Sequence, residues 1–246
     1  MYHIDSLNSF SFLTHAFSTK SDGNMSFRWG KKEEVHENRK RFLSSIDITP
    51  ENCVTFRIQD GNTLVSVGEN DKGRGMHDIG DGIVADGIFT DRKGIFLFLV
   101  FADCLPMILF DANGHLALVH SSWKSTEARI AEKAVKKFCN DFKVGPEGIC
   151  IAIGPAIHRE SFKFPDPIQK RLPGWEPFLE KDKDGETHID LIEYNVAQFL
   201  QSGVERQNLF ISEVDTAGDE RFFSHFRDSL AFPDKEGRFC CVVGIR

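Results

Sequence analysis

A continuous apolar run at residues 95–102 constrains the fold of this chain more than any other feature of its sequence. Such a run is typical of a strand that is covered on both faces, so we expect it in the middle of a β-sheet. It is far too short to cross a membrane, which takes roughly 18 apolar residues. Because Pro106 cannot donate to a neighbouring strand, we expect the chain to leave this strand at Asp103 and Cys104.

A β-hairpin is predicted directly after this strand. The turn signal Asp-Ala-Asn-Gly at residues 111–114 separates two apolar segments, 107–110 and 116–121. With the turn at this place, residues near 106 and 119 face one another. Cys104 and His120 can therefore converge at one end of the sheet.

The rest of the chain alternates predicted strands and helices, which indicates a mixed α and β fold. Helices are predicted over 33–46, from about 126 onward and over 191–202, and strands over 11–18, 53–57, 64–67, 149–153, 209–212 and 239–245. No linker or repeat divides the chain, so we expect one domain spanning residues 1–246. The 23 phenylalanines suggest aromatic sheet faces, some of which could stack a flat ligand.

Charge and cysteine content exclude several classes of function. Thirty basic against 37 acidic residues give a net charge of −7, which argues against broad nucleic-acid binding. No segment resembles a membrane span or a secretory leader, and the six cysteines show no CxxC pair, so we expect a cytoplasmic protein with reduced thiols. No heptad pattern is present, so we expect a monomer without nucleic-acid or membrane partners.

Cys104 and His120 are the strongest candidates for a chemical site. A thiolate and an imidazole are ligands that zinc prefers, and a catalytic zinc usually takes three protein ligands. Asp60, at a predicted turn, and His77, in a glycine-rich segment, are the candidates for the third ligand. The same pair also fits a cysteine nucleophile with His120 as its base, or two ordinary core residues.

Four basic residues stand beside turn or helix-start signals, where an oxyanion could meet both a cation and backbone amides. They are Lys20, Lys124, Arg227 and Arg238. No P-loop is present, and no complete dinucleotide fingerprint follows a predicted strand. We therefore assign no nucleotide cofactor.

Motifs in matching order along nearly the whole chain resemble those of the YfiH/LACC1 family. The matching segments are THAFSTK (14–20), ENR (37–39), ADGIFT (85–90), ADCLP (102–106), VHSSWK (119–124), IGPAI (153–157), HIDL (188–191), FFS (222–224) and GR (237–238). That family is described both as polyphenol oxidases, or laccases, and as zinc-dependent purine nucleoside phosphorylases. The resemblance implies an α+β fold with layered mixed β-sheets flanked by helices, similar to a cysteine-hydrolase fold.

The family's metal site carries over only in part. The cysteine of its ADC motif and the histidine of its HAGW motif match Cys104 and His120, and the resemblance implies zinc there. The first family histidine falls on Asp60, which could ligate through oxygen. Other family positions also differ, since this chain has Ser121 and Ser122 for Ala-Gly, Lys124 for one arginine, Phe226 for another and Asp215 for a cysteine.

The resemblance implies phosphorolysis of a purine nucleoside such as adenosine, inosine or 5′-methylthioadenosine, and also adenosine deamination. Lys20, Lys124 or Arg227 would then neutralise anionic charge, with the metal at Cys104, His120 and Asp60. Zinc is favoured over copper, because the nine histidines include no His-x-His or His-Cys-His cluster. The alternatives are a catalytically silent purine-binding relative and a cysteine hydrolase that uses Cys104 and His120.

Overall fold

Two stacked β-sheets form the centre of the computed structural model, which describes residues 1–231 and 236–246. The strands are β1 (Leu13–Phe17), β2 (Cys53–Val54), β3 (Phe56–Arg57), β4 (Leu64–Ser66), β5 (Ile83–Val84), β6 (Gly87–Thr90), β7 (Phe96–Phe101), β8 (Leu105–Phe110), β9 (Leu116–Ser121), β10 (Cys150–Ile153), β11 (Lys163–Phe164), β12 (Leu179–Lys181), β13 (Thr187–Ile189), β14 (Leu209–Ile211) and β15 (Phe239–Ile245). The helices are α1 (Lys32–Ser44), α2 (Trp123–Glu127), α3 (Ile130–Phe142), α4 (Leu191–Gln201) and α5 (His225–Ala231).

One sheet has four strands in the order β1-β15-β7-β2, and the other has six in the order β14-β10-β8-β9-β6-β4. The apolar run predicted to lie inside a sheet is β7, and it is hydrogen-bonded to β15 on one side and β2 on the other. The six-stranded sheet is mixed, because β14 and β4 run parallel to their neighbours while the inner pairs are antiparallel. Two small sheets, β11-β13-β12 and β3-β5, complete the fold.

Alternation along β7 explains why the two sheets stack. Leu97 and Leu99 point into the core between the sheets, where they meet Ile108 of β8 and Leu118 of β9. Phe98 points the other way, into a second core beneath α1. The opposite face of the six-stranded sheet packs on α3 and α4. The layers are therefore helix, sheet, sheet and helices, which confirms the expected α+β architecture.

The hairpin of β8 and β9 forms as predicted, with one difference in register. Pro106 faces His120 and Leu105 faces Ser121, so residues near 106 and 119 face one another as predicted, with the register one residue from an exact 106–119 pairing. Pro106 also lies inside β8 rather than before it. A proline at the second position of a strand is tolerated because the ladder is only beginning there.

The helix predicted from about Thr126 is two helices. The Ser122 side chain caps α2 by accepting a hydrogen bond from the Ser125 amide at 3.3 Å. Arg129 then adopts a left-handed backbone conformation with φ of 57°, and α3 begins after it. No helix among the described residues combines the length and the apolar character needed to cross a membrane.

Candidate functional site

Asp60, Asp86, Cys104 and His120 come together where β9 ends and β8 begins, and we call them the hairpin-end cluster. His120 belongs to β9, Cys104 immediately precedes β8, and Asp86 immediately precedes β6, the other neighbour of β9. Asp60 lies on an exposed turn before β4, close enough for its charge to act on both His120 and Cys104. The fold thus brings the three predicted metal-site residues to one end of the hairpin.

Asp86 fixes the position of the Asp60 turn. Its fully buried carboxylate accepts hydrogen bonds from the amides of Gln59 and Thr63, both at 2.9 Å. Its own carbonyl accepts a hydrogen bond from the His120 amide at 2.8 Å. Asp60 has φ of 56°, a left-handed conformation that aspartate tolerates better than most residues. Asp86 therefore links the turn, through its carboxylate, to β9, through its backbone carbonyl.

His120 is buried, and its Nδ1 has no hydrogen-bond partner among the described residues. The imidazole stacks against Phe101, with ring centroids 5.7 Å apart. Burial lowers the pKa of His120 to about 4, although the nearby charges of Asp60 and Asp86 oppose this shift. Without a metal, His120 is therefore a neutral imidazole at pH 7 with an unused ring nitrogen.

The position of Cys104 in the chain is fixed by hydrogen bonds to the preceding residue, Asp103. Burial raises the pKa of the Cys104 thiol to about 12, and the charges of Asp103 and Asp60 add to this effect. Asp103 has φ of 78° and accepts hydrogen bonds from the Thr216 hydroxyl at 2.7 Å and the Phe226 amide at 2.6 Å. Burial also raises the pKa of the Asp103 carboxyl. Asp103 thus ties the start of β8 to the beginning of α5.

The hairpin-end cluster has the kinds of donor that zinc binds, but not the arrangement. A thiol, an imidazole with an unused nitrogen and a carboxylate suit zinc chemically. Within residues 1–231 and 236–246, however, no three His, Cys, Asp or Glu side chains are grouped so that they could hold a metal ion. The exposed His77 lies against Glu51 instead, at 3.6 Å. As they lie, these side chains do not fit a three-ligand zinc site.

The three predicted substrate-binding cations differ in how many ion pairs and hydrogen bonds they already make with other groups of the protein. Lys20 lies 3.4 Å from the Asp228 carboxylate. Arg227 donates to the same carboxylate and to four backbone carbonyls, at Thr216, Ala217, Asp219 and Phe222. Lys124 is exposed, has no acidic partner among the described residues, and lies 5.7 Å from the ring of Trp123. Lys124 is therefore the predicted cation that is best placed to meet a phosphate.

A cavity of about 770 Å³ opens beside Cys104, and we call it the aromatic cavity. Trp123, Phe162, Phe164 and Phe226 supply its rings, and the three phenylalanines contact one another edge to face with centroids 5.5 to 6.2 Å apart. The remaining lining residues are Ala102, Asp103, Cys104, Ile157, Pro167, Ile168, Gln169, Leu191, His225 and Ser229. The cavity can hold a flat, largely apolar ring system with one end against Cys104.

Sequence reasoning missed most of this cavity. Phe162, Phe164 and Gln169 belong to a connection between β10 and β12 that carries no recognisable motif. The abundance of phenylalanine indicated a surface for stacking a flat ligand but not its place. Arg238 was considered as an anion ligand, and its guanidinium lies over the ring of Trp29 at 4.7 Å. Its charge also opposes the rise in the pKa of Cys104.

Comparison with known proteins identifies the family. The family model described as "Multi-copper polyphenol oxidoreductase laccase" matches residues 14–246, so the chain belongs to that family. It is 30% identical over 223 residues to the purine nucleoside phosphorylase YlmD of Geobacillus stearothermophilus, a match that covers 87% of this chain and 80% of that protein.

Two solved structures share the whole fold. The crystal structure of Geobacillus stearothermophilus YlmD superposes with a TM-score of 0.87 at 29% identity, covering 96% of this chain and 93% of that one. The hypothetical protein YfiH of Bacillus licheniformis superposes with a TM-score of 0.88 at 25% identity, covering 99% of this chain and 95% of that one. These likenesses confirm the family resemblance that the sequence motifs indicated.

Proposed function

We propose that this protein is a purine nucleoside phosphorylase that holds the purine base in the aromatic cavity. The observation that carries the proposal is the position of that cavity, whose wall includes both Cys104 of the hairpin-end cluster and four aromatic rings. Aromatic rings bind nucleobases by stacking, which is worth roughly 1–3 kcal/mol per base. The name of the YlmD relative supports the same reaction class.

The proposed reaction is a substitution at the anomeric carbon of the sugar. A phosphate oxygen forms a bond to C1′ while the C1′–N9 bond breaks, and the bonding electrons leave with the purine. The purine then takes up one proton, and the products are ribose 1-phosphate and free base. In this proposal Trp123 and Phe226 hold the base. Lys124, whose ammonium lies 5.7 Å from the ring of Trp123, attracts the phosphate.

Zinc bound by Cys104 and His120, with Asp60 as third ligand, stays a prediction because these side chains do not form such a site as they lie. Binding of phosphate by Lys20 or Arg227, activity on inosine or 5′-methylthioadenosine, adenosine deamination, a cytoplasmic location and a monomeric state also stay predictions. A cysteine hydrolase is less well supported, since burial keeps both the thiol of Cys104 and the imidazole of His120 in their neutral forms.

A purine-binding protein without turnover is the second candidate. Asp60 favours it, because this residue stands at the position of a family histidine and lies on an exposed turn rather than among three grouped ligands. Such a protein would retain the aromatic cavity and lose the reaction. The two candidates therefore share the binding site and differ only in chemistry.

The experiment that separates them is chromatographic product analysis of adenosine, inosine and 5′-methylthioadenosine, each incubated with protein and phosphate. Phosphate-free, zinc-supplemented and chelator-treated samples serve as controls. We expect free base and the sugar 1-phosphate in equal amounts, formed only when phosphate is present. The sugar product is ribose 1-phosphate from adenosine and inosine, and 5-methylthioribose 1-phosphate from 5′-methylthioadenosine. We also expect Lys124→Gln to raise the KM for phosphate by about 5-fold, the size of one modest surface charge interaction.

Each other outcome contradicts the proposal in a different way. Release of free base without phosphate would indicate a hydrolase. No turnover under any metal condition, together with tight purine binding, would identify the silent relative. An unchanged phosphate KM in Lys124→Gln, with the exposed Lys133→Gln as matched control, would exclude Lys124 from phosphate binding.

A further inference from the structure

Gln169 is a polar residue with no evident structural task in the aromatic cavity. Only 4% of this residue is exposed, and it lies in a short 3₁₀ turn spanning Ile168–Arg171. Its backbone carbonyl accepts a hydrogen bond from the Leu172 amide at 3.2 Å, which accounts for the turn. Neither atom of its side-chain amide has a hydrogen-bond partner among the described residues.

A side-chain amide without a partner in the protein takes its hydrogen bonds from water or from a bound ligand. Among the described residues, four have a buried polar side-chain atom that has neither a hydrogen-bond partner nor contact with solvent: His120, His158, Thr187 and Gln198. No atom of the Gln169 side chain belongs to this set. The amide of Gln169 therefore keeps contact with solvent space, and the cavity that it lines supplies that space. The group is available to a molecule bound there.

The surroundings of Gln169 restrict what such a molecule can be. The cavity presents four aromatic rings but few polar side chains, so a ligand must be flat and apolar on its faces. A side-chain amide offers one acceptor and one donor in the same plane. A purine with a 6-amino group matches this pair, because N6 donates and N7 accepts along one edge.

We propose that Gln169 reads this edge and makes the cavity selective for 6-aminopurines over 6-oxopurines. The amide oxygen accepts from N6 and the amide nitrogen donates to N7. A 6-oxopurine presents acceptors at both O6 and N7, so one amide atom faces a like group and one hydrogen bond is lost. This inference rests on the proposed function for the reaction but concerns only recognition of the base.

The same contact also acts during bond cleavage. Negative charge develops on the purine ring as the C1′–N9 bond breaks, and an N–H donor at N7 stabilises that charge. Gln169 is therefore expected to affect kcat for adenosine as well as the binding of adenine. A purely structural residue would not change the preference between two bases of nearly equal size.

The test measures equilibrium binding of adenine and hypoxanthine to the full-length protein by calorimetry, without phosphate. We expect adenine to bind about 30-fold more tightly than hypoxanthine, within the range of one bidentate amide contact. Gln169→Met keeps the length of the side chain and removes both polar atoms, so the ratio should fall to within about 3-fold. Gln207→Met, a replacement of an exposed glutamine outside the cavity, should leave the ratio unchanged.

A second variant tests the hydrogen bond that the Gln169 amide N–H donates to N7 of the purine. Gln169→Glu keeps an acceptor for N6 but has no N–H for N7. We expect wild-type protein to bind 7-deazaadenine about 10-fold more weakly than adenine, and Gln169→Glu to lose this difference. Equal binding of adenine and hypoxanthine by the wild type, or an unchanged ratio in Gln169→Met, overturns the inference.

These outcomes are distinguishable from failure of the proposed reaction. If Gln169-dependent selectivity is found without any phosphorolysis, the recognition site stands and the phosphorylase does not. If adenosine and inosine are cleaved with equal kcat/KM in both wild type and Gln169→Met, the phosphorylase stands and the role of Gln169 is wrong. Binding therefore tests recognition of the base, and turnover tests the reaction.

Discussion

The hairpin-end cluster and the aromatic cavity share Cys104 but differ in how they are built. The cluster is polar and tightly determined, since the carboxylate of Asp86 fixes the Asp60 turn and its backbone carbonyl fixes the end of β9. The cavity is apolar, and its walls come from α2, α5 and the connection after β10. One region holds the motifs that identify the family, and the other holds the space for a ligand.

The difference shows that the grouping of metal ligands and the shape of a base-binding cavity can change separately. The motif resemblance predicts that Asp60 stands at the position of a family histidine, and the described side chains group no three potential metal ligands. The aromatic cavity remains well formed beside it. Phe226, at a position where the motif resemblance predicts an arginine, adds an apolar ring to the cavity and contacts Phe162 and Phe164. Binding of a base and completion of a metal site are thus separate questions in this chain.

Acid unfolding sets the pH range in which the two regions can be compared, and His15, which lies outside both, has a pKa lowered as far as that of His120 in the hairpin-end cluster. Burial lowers the pKa of His15 to about 4, with the charge of His3 adding to the shift, while the Ile4 amide donates to His15 Nε2 at 3.0 Å. The folded pKa lies below the unfolded value of about 6.5, so this stability is fully present above pH 6.5 and is lost toward pH 4. The loss amounts to about 3 kcal/mol.

Urea unfolding between pH 7.5 and 4 checks this expectation. His15→Gln should flatten the dependence of the unfolding free energy on pH, because glutamine keeps an acceptor for the Ile4 amide and does not titrate. His36→Gln, a change in α1, should leave the slope as it is. An equal slope in wild type and His15→Gln would refute the assignment.

Asp60→His sharpens the comparison by placing in the cluster the histidine that the motif resemblance predicts at this position. We expect zinc affinity to rise on the order of 100-fold, since even residues that only support zinc ligands are worth 10- to 100-fold. Competition with a chromophoric chelator measures it. Asp47→His is the matched control, because Asp47 is likewise exposed with φ of 57°. If the wild type already binds zinc as tightly as Asp60→His, the conclusion that the cluster is incomplete is wrong.

Phe226→Ala tests the cavity in the same way and has the smallest expected effect of the three. Loss of one stacking ring should weaken adenine binding by about 10-fold, without changing zinc affinity. Phe178→Ala is the control, because this ring stacks on Tyr194 at 4.4 Å and does not line the cavity. An adenine affinity that falls equally in both variants would mean that the loss reflects general destabilisation rather than stacking.

The sequence predicted the elements whose pattern is local. The run that becomes β7, the hairpin of β8 and β9 and the strand β15 were all predicted, because apolar periodicity and a strong turn are visible over a few residues. The start of β8 was predicted too late, at residue 107, because Pro106 enters the strand instead of preceding it. The break before α3 was missed, because nothing marks Arg129 as a left-handed residue.

The site was predictable only where a motif marks it. Cys104 and His120 were found because they lie in recognisable segments at the ends of neighbouring strands. Phe162, Gln169 and Phe226 meet only through the tertiary fold, which brings α5 against the connection after β10. Whether an amide such as that of Gln169 lacks a partner depends on packing from every side, and no local pattern contains that information.

The most direct test of the central claim, that the aromatic cavity binds the purine base, is a fluorescence titration with adenine. In a Trp29→Phe background only Trp123, which lines the cavity, and the fully buried Trp175 remain. We predict saturable quenching by adenine that disappears when Trp123 is also replaced by phenylalanine, while calorimetry still detects binding. Absence of saturable quenching, or the same quenching without Trp123, would contradict the claim.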